Sequence, residues 1–565
     1  MGFKKLPYGL PNFADLIESG YAYVDKTNFI ELLENENNRT QIFLRPRRFG
    51  KSLFLSVLEN YYDMGGKDKF ESLFGNLYIG KHPTPEQGMY AILKFDFSGL
   101  DTANSREEFK TSFLNRVEDS VIAFFDRYEN IFTNAAVESK RIAEQKPRIE
   151  ALGFAYRAAA KADVKLFVMI DEYDHFSNNL IAMGETYNDE VKAGGIVKAF
   201  YERLKSGTTS VVRRMFITGM SPMMLSDLAS SFNMSTNYSL TEKYNEMFGF
   251  TKEEVQWLIQ ETGVDKNLIT VDMEYYYNGY KFHKDAKNKV YNSQMVLYLF
   301  DQILFSGKQP EQIIDPNLRT DPQRLHRFAE DENNLKTILS IIENGGISAR
   351  INDVFSLDNL NRSEYFVSYL FYIGMLTNGG GFLGETYLKI PNYSIKTLYW
   401  EYLALHIQNL EKNTTRYDNF KKTVREMALH GTVESYLDFF SGSILNHLSN
   451  RDLTKFDEKY IKAMLLANLL MSNLYLPKSE DENINGYTDI YLQKHPAIKD
   501  IKYEYVFEIK YIKANTDKKE KDSKLAEAIG QIEKYKKDPR FANRTDLKFF
   551  ALIFEGKGTY EVAEV

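Results

Sequence analysis

Short apolar runs alternate with helical patterns over the first 250 residues or so. The runs Gln41–Leu44, Ala91–Phe97, Leu166–Ile170 and Met215–Thr218 are rich in Ile, Val, Phe and Leu and bounded by polar residues or glycine. Strands buried on both faces of a parallel sheet read this way, and the stretches between them predict crossover helices. From Thr251 to about 450 the pattern is mostly helical, with many Asn-containing breaks. Within it, Met375-Leu376-Thr377 and Tyr387-Leu388-Lys389-Ile390 flank Asn378-Gly379-Gly380-Gly381. That reads as a glycine turn closing a β-hairpin behind a helix, the outline of a winged helix. A second α/β pattern begins near 455. It predicts an apolar helix over about Tyr460–Leu474, a turn at Asn485-Gly486 and strands at Tyr487–Leu492 and Tyr503–Tyr511, then a charged helix over about Ser523–Lys537 and a strand at Leu547–Phe554. The expected organisation is an α/β domain over 1–250, a helical or winged-helix region over 251–450, and a small α/β domain over 451–565.

A chain of 565 residues is too long for one hydrophobic core, which agrees with that division. The most apolar helical run, Ile461–Leu476, is broken by Lys462, Asn468 and Asn473, so no membrane span is expected. With no cysteine there is no disulfide framework, thiolate zinc site or cysteine catalysis. The N-terminus lacks a signal-peptide core, and together these absences predict a cytoplasmic protein. Lys and Arg number 71 against 78 Asp and Glu, so any nucleic-acid contact must rest on local patches.

The first chemistry lies in Arg45-Pro46-Arg47-Arg48-Phe49-Gly50-Lys51-Ser52, between the predicted strand Gln41–Leu44 and a helix starting at Leu53. Strand, loop ending in Gly-Lys-Ser, then helix is the context of a phosphate-binding P-loop. Loop N–H groups and a helix N-terminus make an anion cradle. Lys51 supplies a point charge to the β- and γ-phosphates, and the Ser52 hydroxyl suits Mg²⁺. Position 45, where the general pattern has its first glycine, is Arg. About 120 residues on, Leu166-Phe167-Val168-Met169-Ile170-Asp171-Glu172 is an apolar strand ending in two carboxylates, the form of a Walker B element. Asp171 is expected to hold Mg²⁺ and Glu172 to orient or deprotonate the attacking water. Together the two segments point to ATP or GTP. Thr218, ending a further strand, is either a γ-phosphate sensor or an ordinary turn residue, while Arg213 and Arg214 read as a solvated strand edge.

With Pro7-Tyr8-Gly9, Tyr23-Val24-Asp25-Lys26-Thr27, Phe95-Asp96-Phe97-Ser98 and Phe216-Ile217-Thr218-Gly219-Met220-Ser221-Pro222 added, the chain resembles the AAA-ATPase-like family of bacterial proteins that carry a C-terminal PD-(D/E)XK nuclease-like domain. In that family Arg-Pro-Arg-Arg-Phe-Gly-Lys-Ser is the usual loop. The resemblance implies ATP as cofactor and a place near the nucleotide for Asp25 and Lys26. Ring assembly is common among relatives of the ATPase fold, so a homo-oligomer is a further expectation.

The C-terminal pattern carries its own chemistry. Glu508 and Lys510 in Val506-Phe507-Glu508-Ile509-Lys510 share one strand face, and Asp489 on a neighbouring strand can join them at one cation. Carboxylate oxygens suit Mg²⁺ or Mn²⁺. Lys510 is placed to stabilise a developing hydroxide. This arrangement is similar to the PD-(D/E)XK core, which places Gln531 and Tyr535, one helical turn apart, near the site. Glu480 and Glu482 are candidates for a further acid, and Lys502–Arg540 is either a basic groove or a solvated helix face. The expected function is an ATPase whose nucleotide state controls a Mg-dependent nuclease-like domain acting on DNA. The alternative is an ATP-dependent switch or scaffold whose second domain only binds nucleic acid or a protein. His175, just past the Walker B element, reads as a turn residue.

Overall fold

The computed structural model describes the chain apart from Met1 and residues 101–104, 145–148, 176–189, 193, 229–232, 321–330, 383, 411–414, 446–456, 473, 484–485, 496–497 and 557. It falls into two compact units: residues 1–308 with 347–392, and residues 309–346 with 393–565.

The first unit is built on a five-stranded sheet of β1 (Thr40–Leu44), β2 (Ala91–Asp96), β3 (Leu166–Asp171), β4 (Val212–Gly219) and β5 (Thr236–Asn237). Its order is β2-β3-β4-β1-β5, with every neighbouring pair parallel. Strands β1 and β3 are buried along their whole length, as interior strands of a parallel sheet must be. The order places β4 between the strand that feeds the phosphate loop and the strand that ends in carboxylates. Their carboxyl ends finish level: Leu44 pairs with Gly219, and Ile170 with Ile217. Ligands collect at such ends in open α/β sheets. Helix α1 (Lys51–Tyr62) follows β1. Helices α2 (Lys252–Thr262), capped by a reciprocal Thr251–Glu254 box, and α3 (Ser293–Ser306) come later in the unit.

Helix α4 (Ser363–Tyr372) precedes a hairpin of β7 (Thr377–Phe382) and β8 (Glu385–Lys389), and β6 (Gly346–Ala349) pairs with β8 in a β6-β8-β7 sheet. The hairpin lies where expected, but Asn378–Gly381 is strand, and the chain reverses after Phe382. Gly379 serves packing and Gly380 a backbone conformation instead. The Tyr387 ring lies where a side chain at Gly379 would go, and the register shifts between Asn378 and Gly380, which is at φ 129°.

In the second unit, helix α5 (Glu458–Leu470) leads into a five-stranded sheet of β9 (Tyr475–Asn483), β10 (Gly486–Lys494), β11 (Glu504–Ile512), β12 (Leu547–Glu555) and β13 (Thr559–Glu564). The order is β13-β12-β11-β10-β9, and only β11 and β12 are parallel, joined through helix α6 (Lys518–Tyr535). Strands β9 and β13 are the two edges, both absent from the sequence expectation. Pro477 and the acidic run of Ser479-Glu480-Asp481-Glu482 disguise β9, yet proline and charge are what an edge strand tolerates. The turn at Asn485 lies outside the described residues, as do the side chains of Glu480 and Glu482.

Candidate functional site

The loop after β1 passes through two left-handed residues, Arg48 at φ 66° and Gly50 at φ 91°. Glycine adopts that conformation without a Cβ penalty, and here it seats Lys51 as the first residue of α1. The Lys51 Nζ donates to the carbonyls of Arg45 and Pro46, at 3.0 Å each. Burial lowers its pKa, opposed by the charges of Glu172, Asp171 and Asp174.

Arg45 does not enter the cradle. Fully buried, its guanidinium donates to the carbonyls of Leu44 (3.0 Å), Ser239 (2.6 Å) and Tyr244 (3.0 Å) and stacks on Phe282 at 3.9 Å. Burial lowers its pKa to about 9. The arginine that departs from the general P-loop pattern therefore ties the loop to the segment at 239–244.

At the end of β3, Asp171 Oδ1 accepts the Thr218 hydroxyl at 2.5 Å and the Glu172 N–H at 3.0 Å. Glu172 is itself left-handed, at φ 49°. Its Oε2 lies 2.6 Å from His175 Nδ1, an ion-pair distance without hydrogen-bond alignment. Burial works to raise the Glu172 pKa. His175, Lys51 and Arg47 outweigh it and hold the group down at about 2. Asp174, also buried, accepts the N–H groups of Met220 (3.0 Å) and Ser221 (2.8 Å) and so fixes the loop that follows Thr218. A side chain on Gly219 would collide with the Tyr173 ring, so glycine is required there.

Gly50, Lys51, Ser52, Glu172 and His175 line one cavity of about 500 Å³. Much of the remaining lining is apolar, with Pro7, Leu10, Pro11, Val24, Phe248 and Leu297 in the wall. An anion cradle joined to an apolar slot has the form of a nucleoside phosphate site. Asp171 and Thr218 are hydrogen-bonded to each other at the strand ends and do not line the cavity. Arg213 is exposed, while Arg214 is buried and paired with Glu86. Both sit at the start of β4, away from its carboxyl end. His175 lies in a turn as expected; that it also faces Glu172, and that Asp174 holds the loop after Thr218, was not foreseen. Their signal was proximity to the Walker B carboxylates, which spacing rules for metal or catalytic histidines do not score.

The second unit brings Asp489, Glu508 and Lys510 together. Asp489 Oδ2 accepts the Ile509 N–H at 2.8 Å, and its Oδ1 pairs with Lys462 of α5 at 3.2 Å. Glu508 is buried and holds Lys510 Nζ at 2.8 Å and the Tyr535 hydroxyl at 3.1 Å. Burial, then the charge of Asp489, raises the Glu508 carboxyl well above the usual range. Burial opposes charge on Lys510, but Glu508 and Glu458 more than compensate and raise its pKa. Glu458, at the start of α5, lies 3.8 Å from Lys510 Nζ. It is the acidic neighbour from the preceding helix, where the sequence had offered Glu480 and Glu482. Gln531, one turn before Tyr535, has a buried Oε1 without a hydrogen-bond partner among the described residues.

The donor sets test the expected ions. Ser52 on the cavity and Asp171 at the end of β3 offer hard oxygens, the donor type Mg²⁺ takes. Asp489 and Glu508 also offer hard oxygens, and their crowding is of the kind a cation relieves. Both, however, already hold a lysine, and among the described residues no group of three His, Asp or Glu side chains is arranged to hold a metal.

A parallel sheet with a P-loop on β1 and paired carboxylates on β3 defines a Walker-type ATPase fold, and the second sheet carries the core elements of a PD-(D/E)XK nuclease. Residues 7–229 match the family of predicted AAA-ATPases, and residues 456–564 match the PD-(D/E)XK nuclease superfamily. The chain thus joins an AAA-ATPase-like domain to a C-terminal PD-(D/E)XK nuclease-superfamily domain. It is 26% identical over 426 residues to an uncharacterized protein of the vnfD 5′ region in Azotobacter chroococcum mcd 1, covering 72% of this chain and 71% of the relative. Among solved structures it is similar to a Walker-type ATPase of Pyrococcus abyssi, at 12% identity and a TM-score of 0.37, over 66% of this chain and 94% of that one. No helix among the described residues is long and apolar enough to cross a membrane.

Proposed function

We propose that the protein binds and hydrolyses ATP in the first unit and uses the nucleotide state to control a metal-dependent phosphodiesterase in the second, acting on DNA. The observation that carries the first half is the meeting of Lys51, Ser52 and Glu172 on one cavity, with Thr218 and Asp171 hydrogen-bonded behind it. Lys51 is held by two loop carbonyls, neutral acceptors that a phosphate oxygen replaces without breaking an ion pair. Glu172, ionised at neutral pH, is the base or orienting group for the attacking water. Thr218 holds Asp171 in position. Mg²⁺ on Ser52 and Asp171 supplies charge neutralisation to the phosphates when bound.

For the second half, Asp489 and Glu508 are the groups that would hold a divalent ion, and Lys510 is poised to stabilise negative charge on a phosphodiester. The test is incubation with plasmid DNA, Mg²⁺ or Mn²⁺, and ATP. Nicking or cleavage that is lost in both Asp489→Asn and Lys51→Ala is the expected result. No cleavage under any metal or nucleotide condition overturns the nuclease half.

The lysine pairing of both carboxylates favours a second reading, in which the nuclease-like unit binds nucleic acid or a protein without cutting. That reading predicts binding that persists in Asp489→Asn and is indifferent to divalent ions.

A further inference from the structure

The segment Tyr23-Val24-Asp25-Lys26-Thr27 has no part in the phosphate chemistry, yet its charged and hydroxyl groups from Asp25 to Thr27 are engaged across the first unit. Asp25 accepts the Thr27 N–H at 2.9 Å and the Tyr78 N–H at 2.7 Å, and Thr27 Oγ1 accepts the Ile79 N–H at 3.1 Å. These bonds pin the segment to the short helix Tyr78–Lys81.

Lys26 points elsewhere. Buried on the cavity wall, its ammonium donates to both oxygens of Glu254 (2.6 and 2.7 Å) and to the Glu246 carbonyl (2.8 Å). Glu254 in turn caps α2. The stretch from Tyr244 to Glu254 that receives Lys26 also receives the phosphate loop, since Tyr244 O accepts Arg45 and the Gly249 N–H donates to Phe49 O at 3.0 Å. Met247, Phe248, Gly249 and Phe250 of the same stretch line the cavity. One belt of chain is therefore fastened to the phosphate loop at Arg45 and Phe49, and to the cavity-lining segment 23–26 at Lys26.

We propose that Lys26 is a positioning residue for the nucleoside end of the site: its pairing with Glu254 and Glu246 sets the separation of the two walls that grip the base and ribose, without touching the phosphates. This rests on the ATPase reading above. A buried ammonium bound to three acceptors is costly to separate from them, so the wall spacing is fixed before the nucleotide arrives. Pre-set geometry of this kind appears as affinity for the part of the ligand it grips.

The test compares Mg-ATP with Mg-tripolyphosphate, which has the phosphates and no nucleoside. Affinities are measured by titration calorimetry and turnover by phosphate release, for the wild type, Lys26→Met, Glu254→Gln and the double variant. The amide introduced by Glu254→Gln keeps the helix-capping hydrogen bond, so the double variant leaves no buried unpaired carboxylate and stays measurable if Lys26→Met fails to fold. The expected result is a rise of about tenfold or more in the Kd and KM for ATP, with kcat and tripolyphosphate affinity within about twofold of wild type. The double variant should be no worse than Lys26→Met alone. Unchanged ATP affinity, or equal loss of ATP and tripolyphosphate, overturns the inference. So does a double variant with wild-type ATP affinity, because the wall spacing would then not depend on the pair. A wild-type protein that binds neither ligand overturns the ATPase reading instead.

Discussion

Each unit sets lysine among acidic groups, and the two differ in what holds the lysine. In the ATPase-like unit Lys51 is bonded to backbone carbonyls, while of the carboxylates nearby Asp171 accepts the Thr218 hydroxyl and Glu172 faces His175. In the nuclease-like unit the lysines sit on the carboxylates themselves, Lys510 on Glu508 and Lys462 on Asp489. The first arrangement keeps a positive charge available at little cost, since a carbonyl is an exchangeable partner. The second is already compensated, so a divalent ion or a phosphate must displace a lysine to enter. An anion at Lys51 would displace only carbonyls, whereas a charged ligand at Asp489 or Glu508 would compete with a lysine.

The largest effect tests the first half of that contrast. Lys51→Ala should lower ATP turnover by about 100-fold or more, because on the proposed reading it removes the charge that would face the phosphates. Phosphate release measures it, and retention of wild-type turnover would break the comparison at its root. Next comes the arginine that replaces the general glycine. Arg45→Gly strips the carbonyls of Leu44, Ser239 and Tyr244 of their donor and leaves a cavity beside Phe282. The expected cost is about 3 kcal/mol or more in chemical denaturation, with no gain in nucleotide affinity.

Much of this was readable in the chain. The four long strands of the first sheet, the phosphate loop and the Walker B strand were legible because buried parallel strands are continuous apolar runs and a P-loop has fixed spacing. Asp489 and Glu508 were legible as residues able to meet because strand alternation is strict. What escaped depends on pairings remote in sequence. Nothing in the local pattern says that Arg45 reaches Tyr244, that Lys26 reaches Glu254, or that Glu458 approaches Lys510. The short β5 and the charged edge β9 carry too little apolar signal to register. The glycine run at 379–381 misled because glycine marks turns and close packing alike.

The second half of the contrast is sharpened by relieving one pair. Lys462→Met frees Asp489 from its competing cation, so Mn²⁺ affinity in titration calorimetry should rise by about tenfold, an electrostatic gain of roughly 1.4 kcal/mol. Glu508→Gln should reduce Mn²⁺ affinity, since it removes a ligand. A drop in Mn²⁺ affinity in Lys462→Met would mean that the lysine organises the carboxylates for the ion, and the proposed competition would be wrong.

The smallest effect concerns the frame beneath that site. Asp546 is held well below the usual carboxylate range, chiefly by hydrogen bonds from Arg544, with burial opposing and Lys494 adding to the depression. Its side chain is 36% exposed, so solvent screens the pairing, and Asp546→Asn should cost about 1 kcal/mol or less at neutral pH. Because the folded-state pKa lies below the unfolded value of about 3.9, this contribution is complete above that pH and is lost as the pH falls through the depressed value. The stability difference between wild type and Asp546→Asn, followed by urea unfolding, should therefore hold steady from neutrality to about pH 4 and close below it. A gap that stays open in acid would show that Asp546 acts through shape and hydrogen bonding instead of charge. The nuclease-like unit would then owe less to compensated ion pairs than its site suggests.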